Sequence, residues 1–272
     1  MVKDFNELKL YWMKNYKVNV ADEIAKLDFT SVKEACAGIE AVIKEFPLAA
    51  TYLEELNVLE RGGIMNASRF LNAIYFNIEY FSNREKLLSA LTAGVKTGYY
   101  PKNMSIFGVG AHEMGHIIEK WLTEKHVGTI QDLNHRVFAE KIITAAYGDV
   151  MRSTGKFKPL NTLKKEICEH ALRENCSECF ADTICDYVLN KENAAVLSQA
   201  AWQRLKEELI KMLAPGQTKL EQFSIEVFEK YSIFNDVGDI IGVKDDAPTN
   251  FKEAYEHDKK MKDELWEQGF YT

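Results

Sequence analysis

From Met104 to Thr123 the chain reads MSIFGVGAHEMGHIIEKWLT, an apolar stretch with two histidines and a glutamate at its centre. Gly110, Ala111, Met114, Gly115, Ile117 and Ile118 carry no charge, as a helix buried beneath a cleft requires. The stretch predicts a helix at about residues 104–123. On such a helix, positions four apart lie one above the other. His112 and His116 would then present two imidazoles to one ion, and Glu113 would sit beside that face, able to take a proton from water activated by the ion. This is the chemistry behind H-E-x-x-H as a zinc pattern. The bland alternative is a helix with two ordinary hydrogen-bonded histidines.

A catalytic zinc site normally takes three protein ligands. A histidine six residues after His116, with a glycine between, is one solution, but Leu122 and Glu119 hold those positions. A glutamate from a later helix is the other. Glu178, in Asn175-Cys176-Ser177-Glu178-Cys179-Phe180-Ala181-Asp182, is the candidate, with Glu174 as the fallback. Asp182 lies one turn beyond Glu178, where a carboxylate can accept the free N–H of a ligand imidazole and fix its tautomer. Two acids four apart repel on a bare helix, and a nearby cation removes that penalty. The bland alternative is a solvated acidic face. Four of the five cysteines, Cys168, Cys176, Cys179 and Cys185, offer a rival metal set. Leu172, Cys176, Cys179, Thr183 and Tyr187 form a helical stripe, so packing as small hydrophobes explains the cysteines better.

Composition narrows the function classes. The 272 residues are 46% hydrophobic and 28% charged, enough for a sizeable core in one large domain or two small ones. A net charge of −7 argues against nucleic acid as the main partner. No run of 18 apolar residues exists, so no membrane span is expected. Met1 to Glu7 has no apolar stretch suited to a signal peptide. Crowded, odd-numbered cysteines are not a disulfide framework. Together these predict a reducing compartment, the cytoplasm.

The rest of the chain reads as mainly helical. Ser31-Val32-Lys33-Glu34 has the form of a capping box. Val32, Cys36, Ile39, Ile43 and Phe46 then recur at helical spacing, and Pro47 stops the run. Residues 48–60 read as more helix or loop, and Gly62-Gly63 breaks the chain. Ala73 to Phe81 is the best strand candidate, rich in aromatic and β-branched residues. Residues 84–95 predict a helix, and Gly98-Tyr99-Tyr100-Pro101 a turn. Helical regions are expected at 131–147 and 161–190, and further helices at 199–213 and 219–232. The tail from Asp245 to Lys262 is strongly polar. The division expected is an N-terminal helical region over 1–62 packing on the core, a core over 63–213 and a C-terminal helical region over 214–272, though one continuous domain also fits.

With the motifs H-E-M-G-H and S-E-C-F-A-D set out, the chain resembles the gluzincin-type zinc metallopeptidases, whose second motif reads roughly E-F-F-A-E. Anthrax lethal factor is their best-known member. More closely it is similar to the metallopeptidase-like domain of phage and prophage minor head proteins. The resemblance spans about residues 20–213 and takes in VKEACAGIEAVIKEFP, the strand near Asn77 to Phe81, the Gly98 to Pro101 loop and LNKENAAVLSQAAWQRLKEEL. It implies a mainly α, zincin-like α+β fold with a small sheet beside the motif helix. It implies one Zn²⁺ per chain on His112, His116 and Glu178, Glu113 as base and Asp182 behind the ligands. Lethal factor and many of the phage relatives carry a tyrosine seven residues before the third ligand to steady the oxyanion, and here that position is Ala171. Either His170, Tyr147 or Tyr187 substitutes, or activity is reduced.

The function expected is a zinc-dependent peptidase acting on a peptide or protein substrate. An extended substrate would pair with the strand at 73–81. A phage head or assembly protein with a structural or weakly catalytic zinc site, in contact with capsid proteins, is the alternative. A toxin-like effector acting on a host protein is a third, weaker reading.

Overall fold

The structure is a computed structural model that describes residues 2–68, 71–127, 137–213, 227, 230–234 and 240–267. The chain divides into two compact units, Met1–Leu205 and Lys206–Thr272. The first unit is mainly helical with a small mixed sheet. Among the described residues no helix is long and apolar enough to cross a membrane.

Two helices form the centre of the first unit. Helix α2 (Phe29–Glu45) follows α1 (Phe5–Tyr16) and the two-residue strand β1 (Asn19–Val20). Its stripe of Val32, Cys36, Ile39 and Ile43 is buried, and Phe46 closes it. Pro47 opens the one-turn helix α3 (Pro47–Ala50). The cap of α2 differs from the sequence expectation. Asp28, not Ser31, is the N-cap, and its Oδ1 accepts from the Ser31 backbone N–H at 2.8 Å and from the Ser31 hydroxyl at 2.6 Å. A carboxylate one turn earlier takes the exposed N–H groups, so the helix starts sooner. Glu34 is left to pair with Arg84 at 2.7 Å.

Helix α2 packs against the motif helix, which spans Ile106–Val127. The two backbones meet at glycines. A Cβ on Gly38 would fall 1.9 Å from the Phe107 carbonyl oxygen, and one on Gly110 would fall 2.0 Å from the Ala35 oxygen. The obstacle is backbone on both sides, so no side chain can swing away. Gly38→Ala and Gly110→Ala are each expected to lower stability by about 1–3 kcal/mol, the cost of overpacking a filled interior. Thermal unfolding measures it, and melting at the wild-type temperature would show that the helices do not approach this closely.

The sheet has strand order β1-β2-β4-β3, with β2 at Glu55–Leu59, β3 at Met65–Ala67 and β4 at Ala73–Asn77. β1, β2 and β4 are parallel, and β3 runs antiparallel to β4 with Met65 opposite Phe76 and Ala67 opposite Ile74. Strand β4 therefore lies inside the sheet and β3 forms its edge. The expected strand over 73–81 is five residues long, because Asn77 ends it. The Asn77 side chain accepts from the Glu79 backbone N–H at 2.9 Å, which starts the helical turn α4 (Ile78–Phe81). Its amide also donates to the carbonyls of Gly62 and Gly63, at 3.2 and 2.9 Å, which fixes the approach to β3.

Helix α5 (Arg84–Lys96) precedes the motif helix α6 (Ile106–Val127), and α7 (Val137–Thr154) follows it. Part of the helix expected at 131–147 lies outside the described residues. The helical region expected over 161–190 is divided into α8 (Leu160–Ile167), α9 (Glu169–Arg173) and α10 (Cys176–Asn190). Cys168 caps α9 and Asn175 caps α10, the latter accepting from the backbone N–H groups of Ser177 and Glu178. Helix α11 (Val196–Leu213) begins in this unit, where Trp202 stacks on Tyr187 with ring centroids 4.4 Å apart.

In the second unit β5 (Ser232–Phe234) pairs antiparallel with β6 (Ile240–Val243), and α12 spans Thr249–Glu267. Its small core holds Ala247, Phe251 and Ala254, with Tyr231, Val243 and Tyr255 packed on it. The helix expected at 219–232 lies mostly outside the described residues, and Ser232 is in β5.

Candidate metal centre

Helix α6 carries His112, Glu113 and His116, and α10 packs across it carrying Glu178 and Asp182. Close approach is again made by a small residue, since a Cβ on Gly115 would lie 3.1 Å from the Ala181 Cα. The crossing brings together side chains 62 residues apart in sequence. His112 Nε2, His116 Nε2 and Glu178 Oε2 form a triangle with all three sides 3.2 Å. Among the described residues this is the group whose ligand atoms can share one metal ion. A tetrahedral ion with bonds of about 2.0–2.1 Å sets its ligands about 3.3–3.4 Å apart, so the triangle has the size that such an ion requires.

The atoms behind the triangle decide which nitrogens bear protons. His112 Nδ1 lies 3.0 Å from Asp182 Oδ1, and neither atom has another hydrogen-bond partner. His116 Nδ1 lies 3.1 Å from the Ser177 hydroxyl, which donates to Glu119 Oε2. Both Nδ1 atoms thus face acceptors, which leaves the two Nε2 lone pairs pointing at the Glu178 carboxylate. Three lone-pair atoms at 3.2 Å repel unless a cation or protons lie between them.

The titration behaviour agrees. Burial opposes charge on His112, yet hydrogen bonds to Asp182 and Glu178 outweigh it and hold its pKa well above the ordinary value. Burial also opposes charge on His116, but Glu119 and Glu178 raise its pKa to about 9. For Glu178, burial raises the pKa and the two imidazoles more than reverse it, leaving it far below the carboxylate range. Asp182 is likewise lowered by His112 and His170 against the effect of burial. The site holds positive charge strongly, and a metal ion can take the place of the protons.

The triangle opens on a cleft of about 690 Å³. One wall is β3, with Met65, Asn66 and Ala67, and Glu113 lines the cleft beside it. Glu113 Oε2 accepts from the Ala67 backbone N–H at 2.6 Å. The cleft edge is therefore β3 rather than the 73–81 strand, because β4 is sandwiched between β2 and β3. The three residues of β3 are too short a run to signal a strand in the sequence.

The other wall carries Tyr100, Met104 and His170. His170 Nδ1 is 2.8 Å from Asp182 Oδ2, so one buried carboxylate holds both His112 and His170. The backbone N–H groups of Glu169 and His170 donate to the carbonyls of Gly98 and Tyr99, which ties α9 to the Gly98–Pro101 loop. Ala171 is fully buried and its neighbour faces the cleft. The extended backbone at Glu174 and the cap at Asn175 break the helix, so a seven-residue count back from Glu178 does not follow one continuous helix face. Tyr187, stacked on Trp202, and the half-buried Tyr147 are not among the residues lining the cleft. Glu174 is exposed at the rim and outside the triangle.

The cysteines do not share an ion among the described residues. Cys168, Cys179 and Cys185 are buried, and burial pushes the Cys179 thiol up to about 12. Such thiols are protonated and behave as small hydrophobes.

Sequence reasoning missed Ser177, Glu119, Tyr100 and the Ala67 N–H. Ser177 sits beside Glu178 in the second motif, and Glu119 lies one turn beyond His116 on the motif helix, so both were within reach of helix geometry. Ala67 was not, since its contribution is a backbone group. Neither the models of known protein families, nor the curated proteins, nor the solved structures contain a match to this chain.

Proposed function

We propose that the chain is a zinc-dependent peptidase of the gluzincin type, built on a zincin-like fold. The observation that carries this reading is the 3.2 Å triangle of His112, His116 and Glu178, with Glu113 on the same cleft. When bound there, a zinc ion supplies Lewis-acid polarisation of a carbonyl and acidification of water. The remaining work belongs to the side chains. Glu113 accepts a proton from the attacking water and passes it to the departing amine. Its carboxylate is held ready by the Ala67 N–H. An extended peptide lies along the β3 edge, whose outer backbone groups offer strand pairing.

His170 is the residue on the opposite wall placed to steady the oxyanion. Asp182 anchors its Nδ1, which sets the ring on the cleft wall as a hydrogen-bonding group. Burial raises the pKa of Tyr100, so its hydroxyl also stays a donor on that wall. His170→Ala is expected to lower kcat by about 10²–10³, with little change in KM. Steady-state kinetics on a cleaved peptide check it, and a wild-type kcat would remove His170 from the mechanism.

The likeness of H-E-M-G-H and S-E-C-F-A-D to phage and prophage minor head proteins supports a phage-encoded enzyme with capsid proteins as its contacts. The test is a broad peptide library, the chain itself included, incubated with the zinc-loaded and the chelated protein. Cleavage seen only with metal supports a peptidase. A metal that raises thermal stability while no peptide is cut would point instead to an assembly protein with a structural ion.

A further inference from the structure

Glu119 has no role in the mechanism above, yet it is only 4% exposed. Its Oε2 accepts from the Ser177 hydroxyl and lies 3.7 Å from His116 Nδ1. Its Oε1 is buried with no hydrogen-bond partner. A buried carboxylate is costly unless a positive charge compensates it. Among the described residues no lysine or arginine pairs with it, and the neighbouring Lys120 donates to Asn72 Oδ1 at 2.8 Å and sits over the Tyr52 ring. What faces Glu119 is His116, through Ser177.

The hydrogen bonds have one consistent direction. The Ser177 hydroxyl has a single proton and gives it to Glu119. Its oxygen must then accept from His116 Nδ1–H, 3.1 Å away. That leaves the lone pair of His116 on Nε2, inside the triangle. The reverse polarity would protonate Nε2 and remove it as a ligand. The two ligand histidines are thus backed differently, His112 directly by Asp182 and His116 through a serine relay.

We propose that Glu119, acting through Ser177, is a positioning residue that fixes the tautomer and basicity of His116 and so sets the cation affinity of the centre. The inference rests on the reading of the triangle as a metal site, but not on peptidase activity. The experiment is calorimetric titration of zinc into the metal-free full chain, with cobalt absorption as a second readout. Glu119→Gln and Ser177→Ala are each expected to weaken zinc binding by about 10–100-fold, with the chelated variants still unfolding cooperatively. Both should shift the cobalt d–d bands, which a distant packing defect would leave in place. Because the two act along one path, the double variant should lose little more than either single one. Wild-type affinity in Glu119→Gln, or losses that simply add in the double variant, would overturn the relay. If the wild-type chain binds no divalent ion at all, the metal-site reading itself fails.

Discussion

Glu113→Gln is expected to abolish measurable proteolysis, lowering turnover by about 10²–10⁴-fold, the span that a positioned general base contributes. Glutamine keeps the size of the side chain and can still accept from the Ala67 N–H, so the β3 contact survives. It cannot take up a proton. Glu113 is not a corner of the triangle, so zinc content should remain at the wild-type level. Peptide cleavage and elemental analysis on one preparation separate the two roles. A variant that cuts as fast as wild type would show that the proton goes elsewhere, with His170 and Glu174, which also line the cleft, the groups to examine.

The second large effect is on stability. The triangle joins α6 to α10, which pack against each other in the first unit. Free zinc at about 1,000 times its dissociation constant adds about 4.1 kcal/mol by mass action. For a unit of this size that corresponds to about 8–16 °C in melting temperature. Chelation should remove it. The loss should also depend on pH in a defined direction. Without metal, protons occupy the imidazoles, and His116 has its pKa raised to about 9 by Glu119 and Glu178 despite the opposing effect of burial. A group with a raised folded-state pKa stabilises fully below its unfolded value, about 6.5, and that stabilisation disappears as pH rises through the folded value. The chelated protein should therefore melt lower at pH 9 than at pH 6.5, while the zinc-loaded protein changes less. A chelated melting temperature that rises over that interval would contradict the charge arrangement at the centre.

Some of this arrangement was legible in the sequence because helix geometry is local. Four-residue spacing places His112 above His116 whatever else the chain does. The stripe from Val32 to Phe46 identifies a buried helix in the same way. What was not legible depends on contacts distant in sequence or on backbone. β3 is three residues long, and its importance comes from being the sheet edge beside Glu113. The side of α9 that meets the cleft could not be read by counting, because capping by Cys168 and Asn175 cuts one helical pattern into pieces. That is why position 171 is packed in the interior and His170 reaches Asp182. Asn77 carried a signal, since asparagine favours helix N-caps, but the aromatic residues on both sides of it read as strand.

The most direct measurement is the metal content of the purified chain and three single-residue variants, by elemental analysis after dialysis. One zinc per chain in the wild type, lost in both His116→Ala and Glu178→Ala and kept in Glu174→Ala, is the result predicted by a triangle drawn from α6 and α10. A chain that holds no stoichiometric metal, or one that keeps its zinc after Glu178→Ala, would contradict it.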